Sequence, residues 1–236
     1  MGSILNALFP LTNFGKYESF PLRIQRGVIG SYLLADQDIC RFHQTCHKAK
    51  LKPIVHPFWA TFPFADIFSS IIPDILHQML QGMMKHLIGW LTNIFGPSAI
   101  NAQCKSIPPN HNILLFPKGI LILSHIMGQE HKKICGILLG LIVNLLIPGG
   151  LDSSCMVRAI CTLLNFLFLA QFQCHTSGTL SQLEGYLAAF HNNKAAFVDL
   201  GIWQNFNIPK FHSLLHYTLS IHLFSTTDNY NTEQSE

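Results

Sequence analysis

Charge is what this sequence has least of. Asp, Glu, Lys and Arg make up 11% of its 236 residues, against roughly 25% in an average soluble domain. The 15 Lys and Arg and 12 Asp and Glu leave a net charge of +3. The basic residues are scattered along the whole length, so the clustered stripe that marks an electrostatic nucleic-acid footprint is missing. No Gly-rich phosphate loop, GxSxG elbow or cysteine nucleophile with an identifiable base occurs. A disulfide framework is excluded as well. The seven cysteines, Cys40, Cys46, Cys104, Cys135, Cys155, Cys161 and Cys174, are odd in number and lack scaffold spacing, so they read as reduced, mostly buried thiols. The opening MGSILNALFPLTNFGKY has no charged n-region and no small-residue cleavage site. Asn6 stands where myristoylation requires Ser or Thr, so neither export nor a lipid anchor is expected.

Apolar runs of membrane length are also lacking. Spanning about 30 Å of hydrocarbon takes roughly 20 apolar residues. The run over 134–147 stops short of that and contains Asn144, while the run over 155–170 contains Arg158 and Asn165. Arg158, Thr162 and Asn165 fall at i, i+4 and i+7, one polar stripe on an otherwise apolar helix. A multi-pass membrane protein is therefore the weaker alternative. The hydrophobic fraction of 49% is surface in excess, which calls for burial against a partner.

What is present is helical periodicity broken by proline and glycine. Residues 1–30 carry Pro10, Gly15, Pro21, Gly27 and Gly30 and read as an irregular lead-in. Residues 31–205 read as a helical domain, and 206–236 as a C-terminal helix with a polar tail. Within the domain, the first helix is expected over 31–50. Pro53, Pro57 and Pro63 then punctuate the aromatic segment HPFWATFPFADIF, which suits an extended stretch. After Pro73 and Asp74, Leu76, Met79, Met83, His86 and Trp90 share one face and predict a helix that Gly96 and Pro97 close. SIPPNHNILLFPKGI reads as loop, and 130–146 as the next helix. Asp152 or Ser153 caps another that runs to about Gln171, and Thr176 or Ser177 caps one with Leu180, Leu183, Leu187 and Phe190 at helical spacing. The last helix is expected over 210–224, and no strand-rich region or repeat is seen.

Thirteen histidines bring metal sites into view. Cys40, His43, Cys46 and His47 supply zinc donors within eight residues, but no second pair of ligands stands at matching distance, so ordinary helix residues are the expected reading. His212 and His216 have the i, i+4 spacing of HExxH, yet Ser213 replaces the glutamate that mechanism needs. Asp74 and His77, three apart, are neighbours on a helix. The carboxylate can cap the helix or orient the imidazole.

The strings LKPIVHPFW, IIPDILHQMLQGMMKHLIGWL, PPNHNILLFPKGI, ILLGLIVNLLIPGG, LLNFLFLAQF, FHNNKAAFVDLGI, NFNIPKFHSLLHY and LFSTTDNYNTE, taken in order, resemble the middle and later part of Plavaka-type fungal DNA transposases. These are related to the CACTA and Kyakuja–Dileera–Zisupton groups. The resemblance implies an RNase H-like nuclease core in which two Asp and one Glu hold two Mg²⁺ or Mn²⁺ ions for phosphoryl transfer on DNA. It also implies a helical insertion between the second Asp and the Glu, carrying a D-x2-H or C-x2-H motif that Asp74 and His77 match. The fold class implied is mainly α, the insertion of such a transposase with its core sheet largely missing. Relatives carry both core aspartates and a C-x2-C motif in a long segment ahead of the part matched, whereas this chain starts MGSILNALFPL. They continue beyond TTDNYNTE, so Glu233 or Glu236 is the third acid by resemblance. Asn192 stands where relatives often have Asp. The expectation is a fragment inactive alone, with no cofactor of its own. DNA and the nucleus are the partner and compartment of the intact family. Self-association or binding to a full-length transposase copy, as a non-enzymatic helical interaction protein, is the other reading.

Overall fold

The chain divides into two compact units, Met1–Ile71 and Ile72–Glu236. The computed structural model describes residues 38–48, 72–111, 114–121, 123, 126–147, 152–203, 206 and 209–232. The lead-in over 1–30, the start of the first expected helix at 31–37, the aromatic segment over 56–68, and both Glu233 and Glu236 lie outside the described residues.

In the first unit, α1 spans Ile39–Lys48. Asp38 Oδ1 starts it by accepting the backbone N–H of Cys40 at 2.9 Å and of Arg41 at 3.1 Å, which satisfies two of the orphan donors of a helix N-terminus. Phe42 and Cys46, one turn apart, are its buried side chains.

The second unit is built around a rod of two parts. Pro73 leads into Asp74, which is extended at φ −100° and ψ 133° and caps a π-helical stretch, Ile75–Met83. The ladder then tightens into α2, Met84–Phe95. Ile75, Leu76, Met79, Leu80, Gly82, Met83, Met84, Leu87, Trp90, Leu91 and Ile94 are all buried along it. The buried surface is wider than the single apolar face expected, and His77, Lys85, Gly89 and Asn93 form the one exposed stripe along it. Gly96, at φ 80°, ends the rod. Pro97 opens a new helix, α3 (Pro97–Ser106), at its first position, where the missing N–H costs nothing. By sequence this proline marks only a stop, so α3 is not expected.

Helix α4 spans Gly128–Ile142, starting where Glu130 Oε2 accepts the Met127 N–H at 3.0 Å. It ends short of the expected 146, and Leu146 lies out in solvent. Helices α5 (Ser154–Ala170) and α6 (Ser177–Asn193) form an antiparallel hairpin packed along its length. Asp152, one residue ahead of the N-cap Ser153, accepts from the Ser154 N–H and hydroxyl, while the Ser153 side chain makes no capping bond; Thr176 and Thr179 cap each other reciprocally, as expected for α6. The short α7 (Ala196–Asp199), α8 (Pro209–Ser213) with a 3-10 turn Leu214–His216, and α9 (Tyr217–Phe224) complete the α-helices among the described residues, and a 3-10 turn, Thr227–Asn229, follows. Both α4 and α8 pack on the π-helical stretch, α7 packs on α5, and α9 packs on α6.

An aromatic hub joins these layers. Trp90 lies 5.1 Å from Phe197, 5.5 Å from Trp203 and 5.9 Å from Phe211, and Phe211 in turn stacks on Phe190 at 5.3 Å. Aromatic pairs at such separations add about 0.5–1.5 kcal/mol beyond area burial.

The fold is mainly α, with no strand among the described residues. No described helix is long and apolar enough to cross a membrane. All seven cysteines are free, but only Cys46, Cys104 and Cys135 are buried while Cys40, Cys155 and Cys174 are exposed. That corrects the expectation of mostly buried thiols. Helical periodicity places a thiol on a face only where apolar neighbours define that face.

Candidate functional site

The start of the π-helical stretch is where distant parts of the second unit meet. Asp74 Oδ2 accepts the His77 backbone N–H at 2.6 Å and stands 2.9 Å from His77 Nδ1. Its other oxygen, Oδ1, accepts the backbone N–H of Thr232 at 3.0 Å. The Thr232 hydroxyl oxygen lies 3.0 Å from the same His77 Nδ1. A histidine with its proton on Nδ1 serves both oxygens at once, which leaves the lone pair on Nε2.

The backbone carbonyls at this place are held as well. The Tyr217 hydroxyl donates to Asp74 O at 3.1 Å, and Lys210 Nζ donates to His77 O at 3.1 Å. Gly82 makes the second contact possible. A Cβ there would fall 2.5 Å from Lys210 Cδ, 2.7 Å from its Nζ and 2.8 Å from His77 O. The lysine stem crosses the rod at Gly82, where no side chain stands in its way.

Exposure is unequal across the pair, at 16% for the Asp74 side chain and 52% for His77. Partial burial raises the Asp74 pKa. The N–H groups of Thr232 and His77, the His77 ring and the Thr232 hydroxyl outweigh it and hold the carboxyl below its usual range. Tyr217 is fully buried. Burial first, then the Asp74 charge and Tyr230, push its phenol well above the ordinary value, so it stays a donor. Burial, with Lys210 and Lys85 nearby, pushes the His86 imidazole down.

The two residues matching the D-x2-H motif are thus brought together, and Thr232, directly ahead of Glu233, is brought to them. Glu233 and Glu236 themselves lie outside the described residues. Cys40 and His43 are exposed on α1 while Cys46 is buried with Phe42, so the three do not share one side. Among the described residues no three His, Cys, Asp or Glu side chains gather in a group that could hold a metal ion. The described residues also do not fit a pair of divalent cations, because both Asp74 oxygens already take N–H donors. Magnesium needs several fixed oxygen ligands. Asn192 is exposed near the end of α6. Sequence reading missed Thr232, Tyr217, Lys210 and Gly82. The signal available for them was their place inside the strings IIPDILHQMLQGMMKHLIGWL, NFNIPKFHSLLHY and LFSTTDNYNTE.

These features define a mainly helical protein in which a capping aspartate and its histidine fasten the C-terminal end of the described chain to a π-helical stretch. The family model described as Plavaka transposase matches residues 7–91, a stretch that includes both Asp74 and His77. Over that stretch the chain is similar to Plavaka transposases. No curated protein and no solved structure matches it.

Proposed function

We propose that this chain serves DNA transposition of a Plavaka-type element as the helical insertion that positions the end of the catalytic region, and that it performs no phosphoryl transfer alone. The observation that carries this reading is the 3.0 Å hydrogen bond from the Thr232 N–H to Asp74 Oδ1. It ties the motif residue to the position just ahead of the candidate third acid, Glu233 or Glu236. Asp74 and His77 act here as positioning residues. Two-metal chemistry needs carboxylate oxygens free to coordinate Mg²⁺ or Mn²⁺, whereas those of Asp74 are committed to hydrogen bonds. DNA is the partner of the assembled transposase and the nucleus its place of action. Purified chain incubated with duplex DNA carrying the parent element's ends and MgCl₂ or MnCl₂ is expected to leave the DNA uncut. Strand cleavage above a metal-free control would overturn the inactivity.

A second reading, a helical interaction protein that binds another transposase copy, is favoured by one feature. Leu219, Leu223 and Phe224 of α9 are exposed apolar side chains on a chain poor in charge, and clustered exposed hydrophobics mark contact surfaces. Co-purification with a full-length relative is its expected outcome, and a monodisperse monomer that captures no such copy counts against it.

A further inference from the structure

Basic residues are scattered through the sequence, yet within the second unit they are sorted by sign. Between 75 and 151 stand Lys85, Lys105, Lys118, Lys132 and Lys133 against one carboxylate, Glu130. From 152 onward the balance reverses, and Arg158, Lys194 and Lys210 are outnumbered by Asp and Glu. Charges that served solubility alone would intersperse both signs.

The fold gathers the positive part into one layer. Helix α3 packs on both α2 and α4, and α4 packs on the π-helical stretch. Two contacts bring lysines of different elements close. His131 is held below the usual imidazole range by burial first, against the pull of Glu130, and then by the Lys85 charge. The Lys85 ammonium on α2 therefore stands near the start of α4, where Lys132 and Lys133 follow. Gly119, at φ 94°, lies so near the Asn101 side chain that a Cβ there would overlap it. That seats the turn carrying Lys118 on α3, one helical turn from Lys105. Lys85, Lys105, Lys118 and Lys133 are exposed and Lys132 is half-buried. Among the described residues none of the five is in an ion pair, and Glu130 Oε2 is taken up by the Met127 N–H.

We propose that this lysine layer is a docking surface for the phosphate backbone of duplex DNA, bound without regard to base sequence. Lysine meets phosphate as a point charge, and ammonium groups without carboxylate partners give up no contact in doing so. A single strand fits less well, because it needs exposed rings on which bases stack. Trp90 and Phe116 of this layer are buried, and Phe95 is half-buried. The choice of DNA among polyanions rests on the role in transposition proposed above. The surface itself does not, since the D-x2-H node uses none of the five lysines.

The test titrates the full chain, without divalent metal, into a fluorescein-labelled duplex of random sequence and reads anisotropy from about 50 to about 200 mM KCl. Affinity is expected to fall about 40- to 500-fold over that range, the signature of roughly three to five neutralised phosphates. Lys85→Gln, Lys105→Gln and Lys133→Gln are each expected to lower the salt slope by about 1. Arg158→Gln on α5 and Lys48→Gln on α1 leave it unchanged. These side chains are exposed, so the variants keep the wild-type Tm, and the wild-type salt slope stands as evidence if one unfolds. Absence of duplex binding at the lowest salt overturns the proposal. So does a slope that Lys48→Gln lowers and the layer variants do not. Retention on phosphatidylserine vesicles in place of duplex binding would assign the layer to a membrane surface, and salt-sensitive self-association in its place would assign it to a second copy. Either outcome overturns DNA as the occupant. Failure here leaves the Asp74–Thr232 contact and its role standing, whereas cutting of DNA in MgCl₂ would overturn the inactivity and leave the lysine layer untouched.

Discussion

At the scale of single residues, Asp74 carries the most. Its carboxylate caps the π-helical stretch and also accepts the Thr232 N–H. Asp74→Ala is expected to cost about 1–2 kcal/mol, the upper part of the range for losing a helix cap. It should also raise amide exchange at Thr232, while His77→Ala, which keeps the backbone cap, should cost less than half as much. Urea midpoints and exchange rates check both, and equal losses in the two variants would remove Asp74 as the anchor. Because its pKa is depressed, the stabilisation from Asp74 is present above the unfolded-state carboxyl value and is lost as pH falls through the folded one, below about 4. Ser225 is the second informative residue. It alone among the described non-glycine residues has positive φ, 72° with ψ −164°, a conformation that costs of order 1–3 kcal/mol for a side chain with a Cβ. Ser225→Gly is expected to stabilise the chain by about 0.5–1 kcal/mol, since glycine removes that strain but loses more backbone entropy on folding. An unchanged or lowered urea midpoint would contradict it.

At the scale of elements, the π-helical stretch depends on Gly82. Its position faces Lys210 and the His77 carbonyl at distances that no Cβ tolerates. Gly82→Ala is expected to destabilise by about 1–3 kcal/mol, the usual cost of overpacking, although alanine has the higher helix propensity. The penalty should shrink but not vanish in a Lys210→Ala background, because the lysine can yield and the backbone carbonyl cannot. Denaturant melts of the four variants in a double-mutant cycle read this directly. The caps of α5 and α6 were legible beforehand because Asp152 and Thr176 are local signals whose partners lie within three residues. The stretch Ile75–Met83 was legible as helix but not as π-helix, since the apolar spacing that marks a helix does not report the width of its ladder. Helix α3 was missed because Pro97 both ends one helix and begins another.

At the scale of the whole molecule, neutral histidines dominate the response to acid. His86, His131, His175, His212 and His216 are held below the ordinary imidazole value by burial first of all, and His191 is pushed down to about 4 by burial and the adjacent Lys194. The sign is fixed by proton counting. The unfolded chain takes up protons near pH 6.5 where the folded chain does not, so stability is highest above that value and falls as pH drops through 6.5 towards 4. Tm at pH 5.5 is expected to lie at least about 3 °C below that at pH 7.5, roughly the effect of 1 kcal/mol in a chain of this size. A flat profile would contradict the buried neutral state of these rings.

The helical class, most helix starts, the absence of a membrane-length run and the family resemblance are all legible in the residue order alone. Each of these is written in local spacing, in caps within a turn, or in the order of short strings. It also placed Asp74 and His77 one beside the other, because i and i+3 are neighbours on any helix. Only the tertiary structure decided that Thr232 closes on Asp74, that Tyr217 and Lys210 hold the carbonyls of the same turn, and that His212 and His216 bring two nitrogens to 3.3 Å. Apart from the histidine pair, these contacts join residues more than 130 positions apart in the chain. No local period reports such pairings, which exist only once burial of the rod has drawn α8, α9 and the tail onto one end of it.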